Sequence, residues 1–502
     1  NNHFENPFVA IAYDSRNMSV EFAKATALTF AANGVKVYLF ESLRPTPMLS
    51  FTVRELNCSG GVVITASHNP KQYNGYKVYG QDGGQITDEG VDEILSYINN
   101  IDIFEDVKTI SEEEAMEKGL LQYIGEDIDK VYIEKVKSLI LRKELVNKKA
   151  KNLNIIYTPI HGSGLMPIKR VLTELGFENL SIVKEQENPD GDFPTTPYPN
   201  PEAKQVFELA LEMAKDINPD IIFGTDPDAD RIGVIVKDNS GEYKVLTGNE
   251  TGMLLAHYML KSLKDRNELP ENAAVIKTIV TTEAVKNIVE SFNATLINTL
   301  TGFKYIGEKI KEFEETNSNT FIFGLEESYG YLAGTFVRDK DAVVAATLIT
   351  EMTLYYKEKG LTLYEALINL YEEYGYTKET LVSIELQGKE GQAKIAKCID
   401  TLRNDKVTEI NGIKVVKAFD YKLSEEVSYE NNDVTKSEIN LPKSNVLKYI
   451  LEDDSWFVVR PSGTEPKMKV YLSVVGESLK SSEEKINAFK EDVMNKINNI
   501  LN

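Results

Sequence analysis

The chain has 502 residues, of which 42% are apolar and 27% are charged, the composition of an ordinary soluble globular protein. This length exceeds what one hydrophobic core organises, so several domains are predicted. A net charge of −22 argues against nonspecific binding to nucleic acid or to an anionic membrane, and no run of 18 apolar residues predicts a membrane-spanning helix.

The two cysteines, Cys58 and Cys398, lie far apart in the sequence and lack the spacing of a metal site. Such sparse cysteine usage favours a reducing, cytoplasmic environment with both thiols in the core. The chain begins with Asn rather than Met, so we expect the natural N terminus to lie upstream.

Short β-branched runs alternate with helical stretches through most of the first 375 residues. A strand at residues 9–13 precedes a helix at residues 20–33, and Gly34 ends that helix before a strand at residues 35–39. Further strands are predicted at residues 62–64, 154–157, 221–224, 275–278 and 320–323. Repeated strand–helix–strand units predict mixed or parallel sheets covered by helices.

Beyond residue 380 the pattern changes to shorter strands, a polar loop at residues 430–436 and a final amphipathic helix at residues 482–501. The predicted fold class is therefore α/β, with three α/β domains that have mixed sheets and a C-terminal α+β domain. Charged stretches with few apolar residues suggest the boundaries. The predicted domains are residues 1–148, 149–266, 267–378 and 379–502.

Ser67 lies in the segment Thr-Ala-Ser-His-Asn-Pro at residues 65–70, directly after the strand predicted at residues 62–64. A serine just past a buried strand is placed at a sheet edge, where catalytic groups are common. On this segment alone, Ser67 is either an active-site residue or an ordinary loop residue.

Three aspartates occupy alternate positions directly after the strand at residues 221–224: Asp226, Asp228 and Asp230. Their carboxylates can converge to form a hard, oxygen-rich site that suits Mg²⁺. A calcium-binding EF-hand loop is the nearest alternative, but Arg231 replaces its glycine and Lys237 its bidentate glutamate. Arg231 is also placed to offset the charge of an additional anionic ligand.

The segment Arg-Pro-Ser-Gly-Thr-Glu-Pro-Lys at residues 460–467 follows a strand predicted at residues 456–459. Two hydroxyls, an unobstructed glycine N–H and a cation at each end predict a phosphate-binding loop, although a proline-bounded turn is the alternative. The loop at residues 324–330 suits either sugar hydroxyls or a helix N terminus. Residues 301–304 and 338–341 are ambiguous by themselves.

These segments occur in the order and spacing of the α-D-phosphohexomutase superfamily, which the chain resembles over essentially its whole length. Flanking segments look like the bacterial phosphoglucomutase branch, at residues 73–77, 245–249, 301–307 and 441–445. The resemblance implies four domains, each contributing one loop to a central cleft. Members also have an upstream segment rich in Gly and Arg, which we expect to be missing here.

The activity implied by the resemblance is that of an isomerase, an intramolecular phosphotransferase that interconverts glucose 1-phosphate and glucose 6-phosphate. It would use a phosphoserine, one Mg²⁺ per subunit and glucose 1,6-bisphosphate as activator and intermediate. The implied partners are hexose phosphates, and the protein would be a monomer or homodimer in the cytoplasm. Glu-Glu-Ser at residues 326–328 resembles the glucose-type loop. Mannose or pentose phosphates are alternative substrates, and a Mg²⁺-dependent sugar phosphatase or an inactive fragment are weaker alternatives.

The resemblance also implies roles for individual residues. The catalytic residues would be Ser67 as phosphate carrier, Lys77, His68 and Arg231. The metal ligands would be the phosphorylated Ser67, Asp226, Asp228 and Asp230. Sugar and phosphate would be bound by Thr301, Gly302, Glu326, Ser328, Lys340, Arg460, Ser462, Gly463 and Thr464. Two further residues are expected near the active serine, Arg16 as an added charge and His161 in a neighbouring loop.

Overall fold

The structure is a computed structural model that describes residues 6–196, 198–405, 407–430, 433–463 and 465–501, so Thr464 lies outside the described residues. The chain divides into two compact units, Asn1–Thr281 with Ile288–Leu367, and Thr282–Asn287 with Ile368–Asn502. Among the helices that the structure describes, none has the length and apolar character that a bilayer-spanning segment requires.

The first sheet of the larger unit places Ser67 at a strand end. Its strands are β1 (Phe8–Tyr13), β2 (Lys36–Phe40), β3 (Gly60–Ile64), β4 (Tyr76–Gly80) and β5 (Leu121–Ile124). They are ordered β4-β3-β1-β2-β5, and only β4 runs antiparallel to its neighbour. The accompanying helices are α1 (Ser19–Ala32), α2 (Thr46–Glu55), α3 (Asp88–Ile98), α4 (Glu112–Glu117), α5 (Glu126–Ser138) and α6 (Lys143–Lys149).

The second sheet carries the aspartate loop between two of its strands. It contains β6 (Ile155–Thr158), β7 (Leu180–Ile182), β8 (Ile221–Thr225), β9 (Ile232–Lys237) and β10 (Tyr243–Leu246), in the order β10-β9-β8-β6-β7. The strands β6, β7 and β8 are parallel, whereas β9 and β10 are antiparallel to their neighbours. The helices are α7 (Leu165–Glu174), α8 (Lys184–Glu187), α9 (Glu208–Ile217) and α10 (Gly248–Asp265).

The third sheet contains β11 (Ala273–Thr278), β12 (Thr295–Thr299), β13 (Thr320–Glu326) and β14 (Gly330–Leu332), in the order β12-β11-β13-β14. Its first three strands are parallel, and β14 is antiparallel to β13. The helices in this part of the chain are α11 (Ala284–Ser291), α12 (Phe303–Thr316), α13 (Ala342–Glu358) and α14 (Leu363–Tyr374). Helix α13 is buried along most of its length and contacts α5, α7, α10, β8, β9 and β14. It therefore lies at the centre of the larger unit.

The smaller unit is built on an antiparallel sheet. Its strands are β15 (Tyr376–Glu385), β16 (Glu409–Ile410), β17 (Ile413–Asp420), β18 (Glu425–Glu430), β19 (Asp433–Glu438), β20 (Leu447–Leu451), β21 (Trp456–Pro461) and β22 (Lys467–Gly476). They follow the order β15-β22-β21-β20-β17-β18-β19, with β16 paired to β17. Apolar residues of α15 (Gly388–Asn404) and α16 (Leu479–Leu501) form the core together with this sheet.

The predicted fold class is confirmed, with mixed sheets in three α/β parts and a β-rich C-terminal part. The polar loop predicted at residues 430–436 is wrong, because residues 433–436 belong to β19, which pairs with β18 along its length. Hydrogen bonds to the backbone of β18 stabilise β19 at the edge of the sheet, although its exposed side chains form no apolar face. Cys58 and Cys398 are both buried, as predicted. The domain boundaries stay a prediction.

Candidate active site

Ser67 lies three residues beyond the end of β3 and is half-buried. Its backbone has a left-handed φ of 51°, and its N–H donates to Thr65 Oγ1 at 2.8 Å. Its Oγ donates to Asp226 Oδ2 at 2.7 Å. A left-handed backbone is unfavourable for a serine, and such strain concentrates at functional sites. The structure therefore brings the predicted serine and the predicted metal loop into direct contact.

Arg16 lies beneath the serine loop and determines its shape. Its guanidinium donates to the carbonyl oxygens of Ser67, Asn69, Pro70 and Tyr73 at 2.5–3.0 Å. Asp14 lies 3.4 Å from Arg16 Nε, and both side chains are fully buried. Burial raises the pKa of Asp14 to about 6, although Arg16 opposes this shift. Arg16 thus supports the loop from inside.

We expect Arg16→Lys to lower the melting temperature by several degrees and to speed amide exchange in residues 67–73. A lysine keeps the positive charge near Asp14, but its compact ammonium cannot reach four carbonyl oxygens as a planar guanidinium does. A fully buried carbonyl left unpaired costs roughly 1–3 kcal/mol, and the loss is smaller here because these hydrogen bonds are partly buried. Differential scanning fluorimetry and hydrogen exchange would measure both effects.

The matched control is Arg170→Lys, because Arg170 forms only partly exposed ion pairs with Glu126 and Glu174. Pairs of this kind contribute about 0–1 kcal/mol. Unchanged exchange in the serine loop of Arg16→Lys would contradict the supporting role of Arg16.

The aspartate loop connects β8 to β9 and brings three buried carboxylates together. One ligand oxygen from each of Asp226, Asp228 and Asp230 lies within 4.8 Å of the others. Asp226 Oδ1 accepts the N–H groups of Asp230 and Arg231 at 3.1 and 3.0 Å, which closes the loop. Burial and the neighbouring aspartates raise the pKa of Asp226 well above its usual value.

This carboxylate cluster fits a divalent cation. Oδ1 of Asp228 and Oδ1 of Asp230 are buried and have no hydrogen-bond partner among the described residues. A buried carboxylate oxygen without a partner is costly, and coordination to a cation would satisfy it. A donor set made of oxygens alone favours a hard cation such as Mg²⁺.

Two lysine ammonium groups lie against the cluster. Lys77 Nζ, on β4, lies 2.7 Å from Asp228 Oδ2 and 3.1 Å from Asp230 Oδ2, and Lys340 Nζ lies 3.2 Å from Asp230 Oδ2. Burial alone would lower the pKa of both lysines, but the carboxylates raise it above the usual value. Both side chains therefore stay positively charged.

Arg231 follows the aspartates, and its guanidinium lies 3.1 Å from Glu202 and 3.8 Å from Asp230. Burial alone would lower the pKa of the Arg231 guanidinium, but Asp230 and Asp226 raise it above its usual value. Three cations, contributed by Arg231, Lys77 and Lys340, thus accompany the three aspartates. This balance allows the site to take both a metal ion and an anionic phosphoryl group.

The two predicted sugar loops meet each other. Glu326 ends β13, is buried, and accepts the N–H of Gly302 at 3.0 Å. Gly302 has a φ of 119°, which only glycine adopts easily. Burial raises the pKa of Glu326 to about 7. Thr301 Oγ1 is buried without a hydrogen-bond partner among the described residues, and Ser328 is half-buried.

The two predicted histidines have different surroundings. His68 Nδ1 lies 3.3 Å from Ser67 Oγ, so the imidazole directly adjoins the serine. His161 is buried, and its ring nitrogens lie 3.0 Å from the carbonyl oxygen of Asn188 and from Thr195 Oγ1. In the same loop, the N–H and Oγ of Ser163 donate to the carbonyl oxygen of Pro227 at 2.8 Å. The His161 loop therefore supports the aspartate loop.

The loop at residues 460–467 lies in the smaller unit, between β21 and β22. The N–H of Ser462 donates to the carbonyl oxygen of Lys467 at 2.7 Å, and the N–H of Glu465 donates to Ser462 Oγ at 3.3 Å. A Cβ on Gly463 would meet none of the described residues within 4 Å. Arg460 pairs with Lys469 one position before the end of this strand pair and is half-buried. The loop thus offers an open backbone beside a cation.

Two polar side chains of this region, Thr46 and Tyr79, were not singled out from the sequence. Thr46 Oγ1 donates to Asp228 Oδ2 at 2.7 Å, and Tyr79 Oη donates to Asp339 Oδ2 at 2.7 Å. The position of Tyr79, two residues from Lys77 on β4, was an available clue, since alternate strand residues share a face.

Comparison with known proteins matches four segments, which together make up most of the chain, to one family. The family descriptions are phosphoglucomutase/phosphomannomutase alpha/beta/alpha domain I (residues 1–104), domain II (residues 130–241), domain III (residues 247–374) and C-terminal domain (residues 401–495). A phosphoglucomutase of Staphylococcus haemolyticus is 38% identical over 94% of this chain and 83% of its own length. A phosphoglucomutase of Staphylococcus saprophyticus is 34% identical over 100% of this chain and 88% of its own length.

Solved structures show the same fold. A phosphoglucomutase/phosphomannomutase family protein of Burkholderia thailandensis has a TM-score of 0.68 at 18% identity, covering 98% of this chain and 89% of that protein. The open form of Paramecium parafusin, a phosphoglucomutase, has a TM-score of 0.69 at 18% identity, covering 99% of this chain and 88% of that protein. Since sequence, domain order and fold agree, the resemblance is confirmed, and the chain belongs to the phosphoglucomutase/phosphomannomutase family, the mutases of the α-D-phosphohexomutase superfamily.

Proposed function

We propose that this mutase interconverts glucose 1-phosphate and glucose 6-phosphate and that Ser67 carries the phosphoryl group. The observation that carries the proposal is the 2.7 Å contact between Ser67 Oγ and Asp226 Oδ2, at the edge of three buried carboxylates. The name phosphoglucomutase, borne by relatives that match nearly the whole chain, supports the choice of glucose phosphates.

The reaction is a net isomerisation in which phosphoserine lends and recovers a phosphoryl group. The bond from phosphorus to Ser67 Oγ breaks while a bond forms to the free hydroxyl oxygen of the sugar phosphate. The hydroxyl proton leaves the sugar, and one proton returns to Ser67 Oγ, which gives glucose 1,6-bisphosphate. The reverse transfer of the other phosphate restores phosphoserine and releases the isomer.

Asp226, Asp228 and Asp230, with an oxygen of the phosphorylated Ser67, would hold Mg²⁺, whose charge stabilises a phosphoryl group in transfer. Lys77 and Lys340 contribute fixed positive charge at the same place. His68, whose Nδ1 lies 3.3 Å from Ser67 Oγ, is the proposed acceptor of the sugar hydroxyl proton, and the protonated Lys77 is the proposed donor of a proton to Ser67 Oγ.

Sugar recognition is proposed for Glu326, Ser328 and the Thr301–Gly302 turn, whose oxygens and N–H suit vicinal hydroxyls. Binding of the phosphate that does not react is proposed for the loop at residues 460–467, where an open glycine, a serine and Arg460 offer donors. A cytoplasmic monomer or homodimer stays a prediction.

A coupled assay with glucose 1-phosphate, mannose 1-phosphate or ribose 1-phosphate, each with its bisphosphate, tests the choice of substrate. We expect the highest kcat/KM for glucose 1-phosphate, because the loop at residues 326–328 resembles the glucose-type loop. A higher value for either other sugar would contradict the glucose assignment. Release of inorganic phosphate without glucose 6-phosphate would instead identify a phosphatase.

A further inference from the structure

We infer that Tyr79 and Asp339 are positioning residues that hold the Lys340 ammonium against Asp230. Neither residue takes part in the chemistry proposed above, yet both are almost completely buried, with 1% and 2% exposure. The inference rests on the proposed function, since it concerns how one cation of that site is kept in place.

The contacts form an unbroken series from Tyr79 to the metal loop. Tyr79 Oη donates to Asp339 Oδ2 at 2.7 Å. The other carboxylate oxygen, Oδ1, accepts the backbone N–H of Lys340 at 2.8 Å and lies 3.3 Å from Lys340 Nζ. Lys340 Nζ in turn lies 3.2 Å from Asp230 Oδ2. Tyr79 therefore fixes one oxygen of Asp339, which leaves the other to orient the lysine.

Strand β4 carries Lys77 and also Tyr79, the residue proposed to position Lys340. Lys77 and Tyr79 are two residues apart, so the alternation of a strand puts them on one face. Lys77 Nζ contacts Asp230 Oδ2 directly at 3.1 Å, the oxygen that Lys340 also contacts. Tyr79 acts on the same oxygen indirectly, through Asp339 and Lys340. One short strand thereby sets the spacing of two cations around one carboxylate.

The flanking residues of Asp339 and Lys340 are anchored, so the segment itself has little freedom. The N–H of Arg338 donates to Ser50 Oγ at 2.8 Å. Asp341 accepts the N–H groups of Val343 and Val344 at 2.9 Å and so caps helix α13. The conformation that remains to be fixed is that of the long Lys340 side chain.

Packing constrains the stem of Lys340, whereas two carboxylates hold its charged end. A Cβ placed on Gly330 would lie 2.1 Å from Lys340 Cδ, so the stem passes directly over this glycine. The ammonium also lies 5.6 Å from the centre of the Phe303 ring. Asp339 and Asp230 are the two carboxylates within salt-bridge distance of Lys340 Nζ among the described residues. Loss of the hydrogen bond from Tyr79 would leave the Asp339 carboxylate held through Oδ1 alone, so the ammonium would be less well placed.

The test is a double-mutant cycle with Tyr79→Phe in the wild type and in Lys340→Ala. We expect Tyr79→Phe to lower kcat/KM for glucose 1-phosphate by about tenfold in the wild type, as loss of one hydrogen bond to a charged group predicts. In Lys340→Ala the same substitution should change kcat/KM less than about twofold. Asp339→Asn, which keeps the shape of the side chain, should behave like Tyr79→Phe in both backgrounds.

Tyr132→Phe is the matched control. Tyr132 is also fully buried, and its hydroxyl donates at 2.8 Å to Asp341, a carboxylate in the same segment that caps α13. This variant should lower the melting temperature as Tyr79→Phe does while keeping the wild-type kcat/KM. An effect of Tyr79→Phe that persists undiminished in Lys340→Ala, or that Tyr132→Phe reproduces, would overturn the inference. Absence of mutase activity in the wild type would instead overturn the proposed function, and the inference with it.

Discussion

Ser67→Ala is expected to lower mutase turnover by about 10⁴-fold or more, the scale of loss seen when a covalent nucleophile is removed. The substitution removes the only atom of residue 67 that can accept a phosphoryl group, the Oγ that contacts Asp226. Binding of glucose 6-phosphate should persist, because the sugar and distal phosphate loops are unchanged. A coupled assay with glucose 1-phosphate and its bisphosphate, together with calorimetric binding, would measure both quantities.

Ser59→Ala is the matched control, since Ser59 lies at the opposite end of β3 and accepts the N–H of Phe8 at 3.3 Å. This variant should keep turnover within about twofold of the wild type, as expected for a partly exposed neutral hydrogen bond. Turnover in Ser67→Ala close to that of the wild type would show that another group carries the phosphate.

Removal of divalent cations is expected to stop phosphoryl transfer, and Mg²⁺ should restore it. The three aspartates are buried together, and Asp228 and Asp230 each retain an oxygen without a hydrogen-bond partner among the described residues. Without a cation, their negative charge opposes the approach of a phosphoryl group. Activity in excess chelator, followed by titration with Mg²⁺, measures the requirement.

A pair of variants near the two ends of β8 tests whether the aspartate loop is the site of this Mg²⁺ requirement. Asp228→Asn should raise the Mg²⁺ concentration needed for half-maximal activity by at least about tenfold, because one anionic ligand is lost. Asp220→Asn should leave that concentration unchanged, since Asp220 precedes β8 and pairs with Lys357 at 2.7 Å. Full activity of the wild type in excess chelator would refute the metal site.

Much of the site could be predicted because three of its key residues lie at the end of a strand or within three residues beyond it. Ser67 comes just after β3, Asp226 directly after β8, and Glu326 ends β13. A buried apolar run followed by polar residues is visible in the sequence, and the carboxyl ends of parallel strands are where ligands bind in α/β sheets. The structure brings Ser67 and Asp226 into contact. The sequence therefore placed these residues at strand ends, and the family resemblance suggested their roles, which stay predictions.

The supporting residues could not be predicted in the same way. Arg16 was expected to add charge near the phosphate, but its guanidinium is bonded to four carbonyl oxygens of the serine loop. Asp339 accepts a hydrogen bond from Tyr79, which is 260 residues away in the sequence. Such pairings depend on tertiary packing between segments distant in sequence, which local patterns do not specify.

The prediction of a loop at residues 430–436, where the structure has β19, was wrong for a different reason. Residues 434–438 are exposed and mostly polar or charged, a composition typical of a loop. Their strand conformation comes from backbone pairing with β18 rather than from burial of side chains. Hydrophobic alternation, on which strand prediction depends, is weak in such an edge hairpin.

The most direct test is to locate phosphate on the enzyme during turnover by peptide mass spectrometry. After incubation with glucose 1,6-bisphosphate, the peptide containing Ser67 should gain about 80 Da, the mass of the added PO₃H, with the modification on that serine. Excess glucose 6-phosphate should then remove it and produce glucose 1,6-bisphosphate in equal amount. An active enzyme whose Ser67 stays unmodified, or whose phosphate lies on another residue, would contradict the role of Ser67 as the phosphate carrier.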